Sequence, residues 1–200
     1  MTRHLIRLIL FLSVIPVFFP GCARDNSPET GQESKVFNFI VTEPQKQQIN
    51  SSRGQQYEIT DPLPLLEYNG RDYTIDRFEI RGDNTLNFER KGFGVNMGDK
   101  ILLYNPYNQT ERKYEEFKLL AMVYDYTYIE NSIATGLLRD AGLWPVLSFF
   151  TEVRLNGHTQ GLYHFIEDPV EYFIEKENSS CVVRRGYDHV IKSFSINPVK

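Results

Sequence analysis

The sequence predicts an α+β domain, mostly antiparallel sheet with one long helix, and three observations lead there. Two apolar alternations are interrupted by Asn-Gly pairs, Asn69-Gly70 and Asn156-Gly157. Such a pair between alternating runs is the strongest short-range hairpin signal. One long stretch has a helical period: Ile129, Ile133, Leu137 and Ala141 fall at i, i+4, i+8 and i+12, with Ala134 and Leu138 beside them. With 41% apolar and 14% aromatic residues, the 200-residue chain holds enough material for one well-filled core.

The amino-terminal segment is set apart from that domain. Arg3 and Arg7 lie in a short basic start, Leu8 to Phe19 is an apolar run, and Phe19-Pro20-Gly21-Cys22 follows at once. This is the layout of a bacterial secretory signal with a lipoprotein-type cleavage site, the Cys22 thiol taking the lipid. Phe19 and Pro20 are unusual in such a site, so ordinary secretion stays open. A membrane-spanning anchor is the competing reading, but a helix needs about twenty apolar residues to cross a hydrocarbon core. The expected organisation is a signal peptide over 1–21, a polar, flexible tether over 22–35 and a globular domain over 36–200. The expected location is the bacterial cell envelope, as an exported lipoprotein held to a membrane by its lipid.

Charge and cysteine content exclude several classes. The formal net charge is −4, and removing the leader takes two of the 22 basic residues and none of the 26 acidic ones. A chain so acidic is not built to grip nucleic acid. Two cysteines make neither a disulfide framework nor a zinc site, least of all with Cys22 lipidated. Cys181, in the apolar triplet Cys181-Val182-Val183, reads as a buried inert thiol rather than a nucleophile.

In chain order, Val36 to Val41 is a first strand, and Thr42-Glu43-Pro44 opens a short helix, with proline in its first turn. Leu63 to Tyr68, Asn69-Gly70 and Asp72 to Ile80 form the first hairpin. Phe93 to Met97 is a returning strand weakened by Gly92, Gly94 and Gly98. Ile101 to Tyr104 is hydrophobic, Asn105 to Arg112 a polar loop, and Phe117 to Tyr124 an apolar strand carrying one cation, Lys118. Thr127 and Glu130 have the spacing of a capping box, so the long helix is expected to start at Tyr128 and close at Gly142 and Pro145. Phe149 to Ile166 is the second hairpin, with His164 a hydrogen-bonded core or edge histidine.

Between the first hairpin and the returning strand lies the stretch with chemistry in it. The alternation of Tyr73, Ile75, Phe78 and Ile80 breaks at Gly82 into small polar residues and ends on Arg90-Lys91. Gly82 lets a backbone approach a ligand, Asn84 and Thr85 offer short hydrogen-bonding groups, and Arg81, Arg90 and Lys91 offset negative charge. Gly-Asp-Asn is also an ordinary turn sequence, and Asp83 and Glu89 cancel two of the cations, so a plain hairpin loop is the alternative.

The block Arg81-Gly82-Asp83-Asn84-Thr85 with Arg90-Lys91 resembles the Arg-Gly-Asn-Ser-Thr, Phe-Pro-Lys-Lys segment of the CotH family, the spore-coat-protein-H-like atypical protein kinases. There the segment resembles a glycine-rich nucleotide loop. Leu155-Asn156-Gly157, Gly161-Leu162-Tyr163 and Glu167-Asp168 resemble the family's second hairpin and the acidic segment after it, and the resemblance runs from about Val36 to about Arg185. It departs at Glu89, Gly92 and Glu130, and both glutamates make the site less positive.

The resemblance implies the N-lobe of an atypical protein kinase-like fold and ATP with Mg as cofactor. It implies phosphate contacts from Arg81, Gly82, Asn84, Thr85, Arg90 and Lys91, with Lys118 as a further cation. Lys118 otherwise reads as a lysine snorkelling from a strand end, and Glu130 as a helix cap rather than its ion-pair partner. Glu167-Asp168 falls where a kinase hinge meets adenine. After Ile166 there is no Asp-Phe-Gly, and Asp188 lacks the asparagine expected five residues on, so the resemblance implies a front half without assignable catalytic residues. The partner is then a protein substrate or a cell-surface protein. A non-enzymatic cell-surface binding module, favoured by Glu89, Glu130 and the abundance of tyrosine, is the rival account.

Overall fold

The computed structural model describes residues 35–82, 84–105, 107, 109–125, 127–143, 146–173, 181–187 and 192–198. Alternation decides the strands: β1 (Val36–Ile40) buries Phe37 and Phe39 and leaves its other residues outside. Thr42 then starts α1 (Glu43–Ser51) with a capping box, its hydroxyl accepting from Gln45 N and the Gln45 side chain accepting from Thr42 N at 2.9 Å. β2 (Tyr57–Ile59), β3 (Leu65–Tyr68) and β4 (Arg71–Arg81) follow, and a 3₁₀ turn (Asn84–Asn87) leads to β5 (Gly92–Asn105) and β6 (Thr110–Leu120). Helix α2 (Glu130–Asp140), β7 (Ser148–Leu155), β8 (His158–Glu167) and the single turn α3 (Pro169–Glu171) come next. β9 (Cys181–Tyr187) and β10 (Lys192–Pro198) form a separate antiparallel pair.

Both Asn-Gly pairs turn hairpins. Asn69 and Gly70 have φ of 49° and 69°, and Asn156 and Gly157 have 51° and 77°, the left-handed pair that a two-residue turn requires. The polar loop predicted over 105–112 is shorter than expected, because Thr110 to Arg112 already pair with β5.

The predicted α+β architecture, a kinase-type N-lobe with one long helix, does not hold. Seven strands close into a barrel in the order β4-β3-β1-β7-β8-β6-β5, with β5 pairing back onto β4, and β2 extends the outer edge of β4. Pairing is antiparallel except between β1 and β7, where Val36 stands opposite Glu152 and Phe39 opposite Leu155. Register shifts at Ile75/Arg77, Asn96/Ile101 and Val153/Arg154 bend the strands, and bending is what lets a sheet meet its own edge. The glycines of β5 serve the same closure. A Cβ on Gly98 would stand 2.6 Å from Asp76 Oδ1, and one on Gly94 would stand 2.5 Å from Glu79 Oε1.

The barrel is filled by rings. Phe149 stacks on Phe165 at 4.5 Å, Phe39 lies 4.9 Å from Phe78, and Phe93 bridges Phe78 and Tyr163 at 5.2 and 5.8 Å. Tyr114, Phe117, Tyr163 and Phe165 are all at most 1% exposed, so much of the tyrosine and phenylalanine content is interior.

Helix α2 is the second correction. It is shorter than predicted, starts two residues later and buries none of its residues. Thr135 meets Ser148 on β7 and the Arg139 guanidinium covers the Tyr107 ring at 3.4 Å, while Ile133 and Leu137 are 54% and 66% exposed. Helix α2 turns its Thr135 edge to β7, and the apolar stripe faces outward. The capping box is absent too: the N-cap is Ile129, with no side-chain cap bond.

Candidate functional site

Period-two alternation on β4 points Arg77, Glu79 and Arg81 outward between the buried Phe78 and Ile80. The same rule turns Gly94 and Asn96 of β5 and Glu116 and Lys118 of β6 to that face. Together with Gln56 and with Asp168 and Val170 after β8, they line a polar cleft of about 350 Å³. Lys118 Nζ lies 2.6 Å from Asp168 Oδ2, and Asp168 Oδ1 accepts from Val170 N at 2.8 Å, so one carboxylate both caps α3 and holds the lysine. Glu79, lying over Gly94, takes Arg77 at 2.8 Å and Arg81 at 3.1 Å. Asn96 Nδ2 donates to Glu116 Oε1 at 2.6 Å.

A second cavity, about 210 Å³ and largely apolar, opens where β4 and β6 end. Leu120, Ala121, Met122, Val123 and Tyr124 form one wall, and Gly82, Thr85 and Gly92 the other. Gly82 has φ +143°, and a Cβ there would fall 2.1 Å from Thr85 Oγ1, so only glycine permits the threonine to fold over it. Arg81 lines both cavities.

Asp125, almost fully buried, braces this second cavity. Its carboxylate accepts from Thr127 N at 3.1 Å, the Thr127 hydroxyl at 2.7 Å and Asn131 N at 3.4 Å. Burial pushes its pKa up, but the Thr127 hydroxyl and the N–H groups of Asn131, Glu130 and Thr127 outweigh that and hold it below the usual carboxylate range. Asp125 therefore does for the start of α2 what the sequence assigned to Thr127 and Glu130.

The residues singled out in the sequence separate into two groups. Arg81 and Lys118 share the cleft, and Lys118 is paired with Asp168, not Glu130. Gly82 and Thr85 border the apolar cavity, and Asn84 begins the 3₁₀ turn. Lys91 is 2% exposed and turns inward, its Nζ donating to the Leu86 carbonyl at 2.6 Å and to that of Phe88. Burial, and then the nearby Arg53, lowers its pKa.

Arg90 docks on the second hairpin. It donates to the Leu162 carbonyl and to Tyr128 Oη at 3.2 Å, its guanidinium lies 5.1 Å from the Tyr163 ring centre, and a Cβ on Gly161 would sit 3.4 Å from its Cζ. The two sequence signatures, the 81–91 loop and Gly161-Leu162-Tyr163, thus meet through one arginine.

His164 is on the outer face of β8, fully buried beside the Phe150 ring at 5.3 Å. Neither ring nitrogen has a hydrogen-bond partner, contrary to expectation. Burial pushes its pKa down to about 4, against the pull of Asp125. Glu167, also fully buried, takes Leu147 N at 2.9 Å and the Arg112 guanidinium. Cys22 lies outside the described residues, and Cys181 opens β9.

Sequence reasoning missed Arg77, Glu79, Asn96 and Glu116 as cleft residues and Asp125 as the brace. Outward alternation opposite Phe78 and Ile80 was the available signal for the first two. Asp125 carried none, because its partners are set by a turn.

A family model described as CotH kinase protein matches residues 78–187, more than half of the chain. No curated protein matches.

Proposed function

Since the chain belongs to the CotH kinase family, we propose that its barrel is the ATP-binding part of such a kinase, with the triphosphate held in the cleft of β4, β5 and β6. The observation that carries this is Lys118, partly exposed in a cleft of ligand size, with Arg81 and Arg77 on the same wall. Cations whose guanidinium or ammonium groups share a concave face meet the phosphate oxygens, exchanging carboxylate partners for phosphate. Arg90 and Lys91 hold the loop and the second hairpin in place. Among the described residues no three His, Cys, Asp or Glu side chains come together, so in this proposal magnesium arrives on the nucleotide's own phosphates. Binding is assigned to this chain, and no phosphoryl-transfer step.

Isothermal calorimetry of the full chain with Mg-ATP tests the reading. Saturable binding that Lys118→Met weakens by about tenfold or more is the expected result. A folded protein that gives no heat with Mg-ATP overturns it.

A non-enzymatic, pseudokinase-like binding module is a second reading, favoured by one observation: Arg77, Arg81 and Lys118 each already face a carboxylate. It predicts the same calorimetric silence, together with a protein partner on the cell surface. For location, we propose export and lipid attachment at Cys22, tested by metabolic labelling with a fatty acid that Cys22→Ala abolishes.

A further inference from the structure

Helix α2 carries its amphipathy the wrong way round for a helix that serves only its own barrel. Ser132, Thr135, Gly136 and Arg139, small or polar, are half-buried, and contacts with the barrel come from this side. Ser148 Oγ donates to Thr135 Oγ1 at 3.2 Å, and the Arg139 guanidinium covers the Tyr107 ring. Ile133, Ala134, Leu137, Leu138 and Ala141 are exposed, and Leu143 just after the helix is 67% exposed. Large apolar side chains gathered on one outer face forgo the free energy of burial, so the stripe calls for an apolar phase outside the barrel. The charges of α2 are not placed to greet an ionic partner: Glu130 and Asp140 sit at its two ends, and Arg139 is turned onto Tyr107.

The amino-terminal segment joins the barrel close to this helix. The Lys35 carbonyl accepts from Thr151 Oγ1 and from Glu152 N at 3.2 Å, so the chain enters beside β7. Ser148, which meets Thr135 of α2, lies three positions before Thr151 on the same strand, about 10 Å away at the rise of a strand. Cys22 is 13 positions before Lys35, at most about 45 Å of chain. A lipid on Cys22 keeps a membrane surface within that distance of the start of β7, which is where α2 lies.

We propose that α2 lies in the surface of the membrane to which Cys22 anchors the chain, with Ile133, Leu137 and Leu138 at the acyl boundary. The inference rests on the proposed acylation of Cys22. Eleven residues make about 16 Å of helix, too short to cross hydrocarbon and suited to lying along its surface. The helix is held there by apolar burial and not by attraction to anionic headgroups, because its outer stripe carries no cation. The contact also sets an orientation. In the ring of seven strands β5, the middle strand of the polar cleft, stands three places from β7, as far as the ring allows. A barrel resting on α2 therefore opens its cleft away from the lipid.

The test reads depth at one position of the full exported chain in phosphatidylcholine vesicles whose acyl chains carry bromine, a contact quencher of tryptophan. Trp144, the only tryptophan, is replaced by phenylalanine. One tryptophan is then returned at Leu137 or, as a control, at Leu65, an exposed leucine opposite Ile40 at the end of β1 away from Lys35. Circular dichroism verifies the fold of each variant. The expected result is emission quenched by about twofold or more in Leu137→Trp, as a ring at the acyl boundary requires, and little changed in Leu65→Trp. Salt at about 1 M should leave the quenching unaltered. Equal quenching at both positions, or none at position 137 while Cys22 carries fatty acid, overturns the proposal. A dimer seen in the ultracentrifuge without vesicles, and dissolved by Ile133→Glu with Leu137→Glu, overturns it in favour of a second copy on the stripe. Absence of fatty acid on Cys22, read separately by metabolic labelling, defeats the anchoring reading itself, and the membrane contact falls with it.

Discussion

Arg90 and Lys91 are neighbours in the chain, whereas Arg81 and Lys118 lie on different strands, yet the distant pair shares a solvent-open cleft and the adjacent pair is consumed by the protein itself. Lys91 satisfies two carbonyls of its own loop, and Arg90 fastens that loop to Gly161, Leu162 and Tyr163. A cation's use follows from which acceptors surround it, and a loop rich in carbonyls captures charge before any ligand arrives. The difference teaches that a glycine-bounded loop ending in two cations is also a recipe for a self-tied loop.

The strongest way to break the comparison is Lys91→Met. If Lys91 is structural, its loss strips the Lys91 donor from the Phe88 carbonyl, leaves the Leu86 carbonyl only its bond from Gly54 N, and lowers stability by about 2–4 kcal/mol, read from urea denaturation. Nucleotide affinity of the surviving folded fraction should change little.

Next in size is the effect of acid on His164, a buried ring neither of whose nitrogens is hydrogen-bonded. The pKa of His164 in the fold, about 4, lies below the 6.5 of an ordinary histidine. Between those values the unfolded chain takes up a proton that the folded chain refuses, so stability is complete above pH 6.5 and falls as the pH drops toward 4. The loss reaches about 3 kcal/mol. His164→Phe should flatten that part of the stability profile, measured as the denaturation midpoint between pH 7 and 4.

Lys118→Met sharpens the contrast from the other side, because its pair with Asp168 is partly exposed and stability should fall by only about 1 kcal/mol. In that variant nucleotide affinity, not the fold, is what should suffer, by about tenfold or more as expected above. Smallest of all is Arg77→Ala, whose side chain is 55% exposed in its ion pairs, with an expected change within about 0.5 kcal/mol in thermal unfolding.

Local features were legible in the sequence because their causes are local. Asn69-Gly70 and Asn156-Gly157 demand left-handed backbone, Thr42-Glu43-Pro44 starts α1, and Phe37, Phe39, Phe78 and Phe93 alternate inward wherever the strand period is two. Closure was not legible, since it depends on β1 reaching β7 and β6 reaching β8, pairings between residues too far apart for any short window along the chain to contain. The helix erred for a related reason. Its stripe of Ile129, Ile133 and Leu137 promised burial, but an amphipathic period tells only which face is apolar, not whether anything covers it. In the candidate site, Arg81, Gly82 and Lys118 were found through their residue types. Glu79 and Asp168 were not assigned as their partners, because a carboxylate's partner on another strand depends on register.

The parallel seam between β1 and β7 has a kinetic consequence. Thr151 Oγ1 donates to the carbonyl of Lys35, 116 positions earlier, and Glu152 N donates to the same carbonyl at 3.2 Å. Contacts of such high sequence separation form slowly, because the loop they close must be ordered before the contact rewards it. Hairpins β3–β4 and β7–β8 can form early, each with its own turn, but Phe37 finds its full set of ring neighbours, Tyr68, Phe117 and Phe165, only after Phe165 has been made and the seam has zipped. On the ribosome, the aromatic interior therefore waits in the open until β8 emerges, and the barrel arrives in one late step.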